Sequence, residues 1–181
     1  MLSRALTESD LRPLPSRAVD LLVSLDAPPR LAAHLRAVHD VAWQLADWFA
    51  DRLPLDRAAV LFGAATHDIG KVVHVEELSG PGRRHEAAGR DLLLAHGVEP
   101  ELARFAASHA SWTAPGISAE ELVVSLADKI WKAKRVPDLE QLVVARLGGE
   151  PWEAFMALDD ELDRIAGGAD QRLAFQSSYP I

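Results

Sequence analysis

Three observations predict an all-α protein. Apolar residues recur at spacings of three and four along most of the chain, the period of a helix with one buried face. Residues that start and stop helices punctuate this pattern at short intervals. Alternating strand-type runs are scarce: Lys71-Val72-Val73-His74-Val75 is the one short candidate.

Ala18, Leu21, Leu22 and Leu25 predict a short opening helix, stopped by Ala27-Pro28-Pro29. Proline suits a first helical turn, so a long helix is expected from about residue 29 to 52. Its buried stripe would be Leu31, His34, Val38, Val41, Leu45 and Trp48. Pro54 breaks the chain, and Asp56 is placed to cap a third helix running through Ala59, Val60 and Phe62 to His67. Glycines and a proline between Leu78 and Arg84 mark a loop. Helices follow over about 85–96, ending at Gly97, and from Pro100 to His109. Ser118 with Glu121 three residues on forms a capping-box pattern ahead of Val123, Leu126, Ile130 and Trp131. The last two helices are expected after Pro137, as far as Gly148-Gly149, and from Pro151 to about Ile165.

The 181 residues suit one main domain, and 49% hydrophobic with 25% charged residues is an ordinary globular balance. The net charge of -8 argues against a partner such as extended nucleic acid, which needs clustered Lys and Arg. There is no Cys, so any metal must be held by His, Asp or Glu. The first residues show no apolar run of signal-peptide length, and no stretch approaches the roughly 20 apolar residues of a membrane span. A cytoplasmic protein without membrane association is expected.

Position singles out certain residues. His34 falls on the buried stripe of its helix, whereas His39 is rotated from it by about 140°. His67 and Asp68 lie where an apolar helix ends, just before Gly70, which is expected to free the backbone to turn. Asp128 sits inside the apolar run from Leu122 to Ile130, where a carboxylate is costly to bury unless it is paired or holds a cation. His109 likewise follows an apolar stretch.

The order His34, then His67-Asp68-Ile69-Gly70-Lys71, then Asp128 within Ser125-Leu126-Ala127-Asp128-Lys129 resembles the HD superfamily of metal-dependent phosphohydrolases. His85, in His85-Glu86-Ala87-Ala88-Gly89, and His109 resemble the added histidines of members that hold two metals. The resemblance covers about residues 30–135. It implies a compact HD-domain helical bundle at 29–136, flanked by helical extensions at 1–28 and 137–181. It also implies two divalent transition-metal ions (Fe, Mn, Ni, Co or Zn, with Mg a further candidate). His34, His67 and Asp128 would hold one, His85 and His109 the other, and Asp68 would bridge them. The implied reaction is attack of a metal-activated hydroxide at phosphorus in a small phosphorylated molecule, a nucleotide being one candidate.

Substrate phosphates need positive groups. Lys71 is the first choice for catalysis and binding, with Arg83 and Arg84 in the loop before His85, and Lys129 and Lys132 after Asp128. On a continuing helix Lys132 and Arg135 would share the face of Asp128, with Lys129 further round. Trp112, after His109, is placed to wall the pocket. His39, His74 and His96 read as surface or structural, Glu86 as solvated, and Trp43, Trp48, Trp131 and Trp152 as core. The Gly-Tyr-Pro element of cyclic-di-GMP phosphodiesterases is absent after His85, which argues against that substrate. Two other readings stay open on the same residues: a mixed-valence di-iron oxygenase, and a non-catalytic ligand-binding module. Residues 137–181 either cap the bundle or form a homodimer contact.

Overall fold

The computed structural model describes residues 1–8 and 10–181, and among them there is no strand. The helices are α1 (Leu2–Thr7), α2 (Ser16–Ser24), α3 (Pro29–Phe49), α4 (Arg57–Thr66), α5 (Arg84–Ala95), α6 (Pro100–Ser108), α7 (Ala119–Ile130), α8 (Pro137–Leu147), α9 (Pro151–Ala166) and α10 (Ala169–Ser177). Two 3₁₀ turns, Ile69–Val72 and Val75–Leu78, lie between α4 and α5. The single strand candidate, 71–75, falls in these turns: with no neighbouring strand to pair with, its β-branched residues wind into helical hydrogen bonds instead.

Local chemistry sets the helix starts. The Asp56 carboxylate accepts from the Ala59 backbone N at 3.0 Å. Ser118 and Glu121 complete a reciprocal capping box at the start of α7. Helices α3, α6, α8 and α9 each open on a proline.

Helix α3 runs through the middle, against α1, α4, α7 and α10. Its residues from Leu31 to Ala42 are therefore buried on every side, not along one stripe. That burial takes in Arg36, whose guanidinium donates to the carbonyls of Ala5 (3.1 Å), Glu8 (2.5 Å) and Leu11 (2.7 Å), tying down the end of α1 and the chain that follows. Arg172 of α10 acts alike, donating to Trp131 O (2.7 Å) and Ile165 O (2.6 Å) at the C-terminal ends of α7 and α9.

Two apolar clusters result. One joins the second half of α3 to α4, α7, α8 and α9; the other joins the first half of α3 to α1, α2, α5 and α6. Leu31 and Leu35 belong to the second and Val38 to the first, so His34 lies near their junction.

Helices α1 and α10 are not marked by the apolar pattern: α1 spans six residues, and the only residues of α10 that are buried are Ala169 and Arg172. Trp131 is core, and Trp43 and Trp48 pack at the edge of the larger cluster. Trp152 departs from expectation. It is 70% exposed and stacks on Phe155 at the outer surface of α9, where no helix covers it. Among the described residues no helix is long and apolar enough to cross a membrane.

Candidate metal centre

The six sequence-derived candidates converge from five helices. His34 lies on α3, His67 is the residue that closes α4, and Asp68 follows it. His85 occupies the first turn of α5, His109 closes α6, and Asp128 is near the end of α7. Gly70 has a physical role different from the expected turn: its φ is not positive. A Cβ there would collide with the His85 carbonyl and fall 2.6 Å from Gly89 N. Gly70 thus lets the first 3₁₀ turn lie directly on the backbone of α5 at Gly89, which brings His85 to Asp68.

Asp68 divides its two oxygens between two pairs of imidazoles. Oδ2 lies 3.2 Å from His34 Nε2 and 3.7 Å from His67 Nε2. Oδ1 lies 3.1 Å from His85 Nε2 and 3.4 Å from His109 Nε2. Asp128 Oδ1 joins the first pair, 3.4 Å from His67 and 3.8 Å from His34. Two triads with ligand atoms within 4.8 Å of one another share Asp68: His34, His67, Asp68 and Asp68, His85, His109. All but Asp128 are buried, and its side chain is only 13% exposed.

The tautomers suit cation binding. His67 Nδ1 contacts the Ala64 carbonyl at 2.9 Å and His109 Nδ1 the Ala106 carbonyl at 3.0 Å; a carbonyl only accepts, so each Nδ1 carries the proton. His85 Nδ1 donates to the Glu77 carboxylate at 2.6 Å. In their neutral forms these rings therefore present Nε2 lone pairs toward Asp68. His85 Nε2 has no well-aligned donor or acceptor. Such a set of buried lone pairs and carboxylates is satisfied by cations, so the residues present fit a metal centre.

The electrostatics agree. Burial pushes Asp68 and Asp128 upward, but the facing imidazoles of His67, His34 and His85 hold Asp68 well below the usual carboxylate range. His67 and Lys129 do the same for Asp128. Burial lowers His34, and it lowers His109 to about 4. His67 and His85 are buried too, yet facing carboxylates raise them: Asp68 and Asp128 for His67, Asp68 and Glu77 for His85. Both aspartates are thus available as anionic ligands at neutral pH.

All six but the fully buried His67 line a cleft of about 360 Å³ with Lys71, Arg83, Lys129 and Lys132. Lys71 Nζ reaches Asp68 Oδ2 at 2.5 Å, and Lys129 Nζ reaches Asp128 Oδ2 at 2.5 Å. Arg83 is braced by Glu86 (2.8 Å) and Ser111 (3.2 Å), so Glu86 is a buried partner rather than a solvated residue. Arg84 lies outside the cleft, because its guanidinium is drawn to Glu76 and Glu77. Arg135 does not continue the face of Asp128 either: α7 ends at Ile130, Ala133 takes a left-handed φ of 58°, and Arg135 turns to Glu140, Asp159 and Asp163. Trp112 packs on the larger core with its ring 5.6 Å from Lys129 Nζ, outside the cleft lining. Glu77 was not singled out from the sequence, since an acid eight residues before a histidine carries no pattern.

Neither the curated proteins nor the solved structures gave a match to this chain. A family model described as HD domain matches residues 32–131, more than half of the chain and the segment that supplies all six converging residues. The chain belongs to the HD-domain family.

Proposed function

We propose that the protein is a metal-dependent phosphohydrolase acting on a small phosphorylated molecule. The observation that carries this reading is the division of Asp68 between two histidine pairs at the floor of a cleft ringed by cations. His34, His67 and Asp128 would hold one divalent ion, His85 and His109 the other, with Asp68 shared. Ions bound there supply Lewis acidity toward phosphoryl oxygens and lower the pKa of water.

The chain's own groups do the rest. Lys71 and Lys129 hold positive charge beside the two aspartates, where a phosphoryl group must arrive. Lys132 and Arg83 stand further out on the cleft wall, and Glu86 and Ser111 keep Arg83 in place. Paired donors held in advance can neutralise charge developing on phosphate oxygens without reorganising at that moment. The cleft wall carries no Phe, Tyr or Trp side chain, and cationic side chains dominate its rim. Phosphates would therefore occupy the cleft, with the rest of the molecule lying outside it. Within the chain we assign residues 29–136 as the hydrolase unit and residues 1–28 and 137–181 as flanking supports.

Release of inorganic phosphate from a panel of nucleotides and other phosphorylated metabolites, each with Mn, Fe, Co, Ni or Mg, tests the reading. Metal-dependent release that disappears in Asp68→Asn is expected. Dioxygen consumption by the iron-loaded protein, with no phosphate released from any substrate, would replace this reading with the oxygenase.

A further inference from the structure

Glu77 is none of the six converging residues and does not line the cleft. It sits in the second 3₁₀ turn with its side chain only 3% exposed. Its carboxylate takes three donors from the start of α5: His85 Nδ1 at 2.6 Å, His85 N at 3.1 Å and Arg84 N at 3.2 Å. The loop is moulded to it, because a Cβ on Gly82 would fall inside the Glu77 carboxylate.

The need for such a group follows from where His85 lies. His67 and His109 stand at the ends of their helices, and each anchors Nδ1 on the carbonyl three residues back. Their ring orientation comes with the helix. His85 is in the first turn of α5, and the residue three before it, Gly82, precedes the helix. Its own helix therefore offers no such acceptor.

We propose that Glu77 is the positioning residue of the Asp68–His85–His109 subsite and governs whether that subsite holds its metal. By accepting the Nδ1 proton it fixes the tautomer whose Nε2 lone pair faces Asp68 Oδ1, 3.1 Å away, and it strengthens that nitrogen as a donor. The same carboxylate caps the first backbone N–H groups of α5, so ring, loop and helix start share one anchor. Loss of an orienting partner of this kind typically weakens metal binding by about 10–100-fold. The subsite of His34, His67 and Asp128 makes no contact with Glu77 and is independent of it. The inference rests on the two-metal reading above.

The test is titration of the metal-free full chain with Mn²⁺ or Co²⁺, followed by calorimetry, elemental analysis and, for cobalt, the visible absorption of each bound equivalent. The wild type should take up two equivalents. Glu77→Ala should keep one at wild-type affinity and weaken the other by about 10–100-fold. Glu77→Gln should fall between, since an amide oxygen still accepts the Nδ1 proton while one α5 N–H loses its acceptor. Thermal melting of the metal-free variants checks the fold; if Glu77→Ala does not fold, the loss in Glu77→Gln confined to one equivalent carries the same conclusion. Wild-type affinity for both equivalents in the folded variants overturns the proposal, as does equal weakening of both. A wild-type protein that binds fewer than two equivalents overturns the two-metal reading itself, and this inference with it.

Discussion

At the scale of single residues, Asp68 and the two α3 histidines separate the chemical role from the structural one. Asp68→Asn keeps the shape of the side chain but removes the anion that faces four imidazoles. Activity should fall by at least about 100-fold, the usual cost of losing one preorganised charge-stabilising group, with the far-ultraviolet circular dichroism unchanged. A variant that turns over near the wild-type rate would remove Asp68 from the mechanism. His34→Ala should abolish high-affinity binding of one metal equivalent, whereas His39→Leu should leave both intact; the opposite pattern would place the α3 ligand at His39. His39 is 1% exposed with neither ring nitrogen paired, an arrangement that costs about 1–3 kcal/mol. Burial, reinforced by Arg12, Arg36 and Arg57 and only partly opposed by Asp40, lowers its pKa to about 4. Above pH 6.5 folded and unfolded chains both leave it neutral. As pH falls from 6.5 to 4 only the unfolded chain takes up the proton, so this residue removes up to about 3 kcal/mol of stability. Urea denaturation of His39→Leu against pH should show higher stability at pH 7 and a shallower decline across this window.

At the scale of elements, much of the site was legible because its residues stand at helix ends. His67 and His109 close apolar helices, and Asp128 interrupts one, so each is conspicuous against its neighbours. The capping box of α7 and the proline starts of α3, α6, α8 and α9 are local signals, and they correspond to real boundaries. What the pattern misses is tertiary. A stripe records water on the opposite side, and α3 has helices all round it, so its buried Arg36 and His39 carry no sequence mark. A helix continued past Ile130 would place Arg135 on the face of Asp128, and the left-handed Ala133 cancels that geometry. Gly70 reads in the sequence as a turn, because the pattern carries no sign that α5 lies against it. Gly70→Ala tests the contact: the new methyl group must displace α5 at His85 and Gly89. A cost of about 1–3 kcal/mol is expected from overpacking, with selective loss of the Asp68–His85–His109 metal equivalent. Retention of both equivalents would mean that the packing of the 3₁₀ turn on α5 does not set the position of His85.

At the scale of the whole molecule, the candidate metal centre adds polar ties between helices that otherwise meet largely through apolar contacts. Its candidate ligands come from α3, α4, α5, α6 and α7, helices that contribute to both core clusters. Unfolding separates them, so ions held there would bind the folded chain in preference to the unfolded one, and binding free energy would become folding free energy. At a free metal concentration about 100 times the dissociation constant, each filled subsite adds about 2.7 kcal/mol. For a chain of this length, about 2–4 °C in Tm accompanies each kcal/mol, so each subsite should raise Tm by about 5–11 °C. In Glu77→Ala, chelation should reverse the rise in two steps of unequal affinity if Glu77 governs one subsite and not the other. The variants sort by the same measurement. His39→Leu should raise Tm equally with and without metal, because its effect lies in the apolar packing around α3. Asp68→Asn should lose the metal-dependent increment at both subsites, because its two oxygens serve both. Differential scanning calorimetry of the three proteins, with and without Mn²⁺, makes the comparison. A wild-type Tm that does not respond to metal or chelator would show that the converging imidazoles are a buried polar core, held together by Asp68 and Asp128 alone.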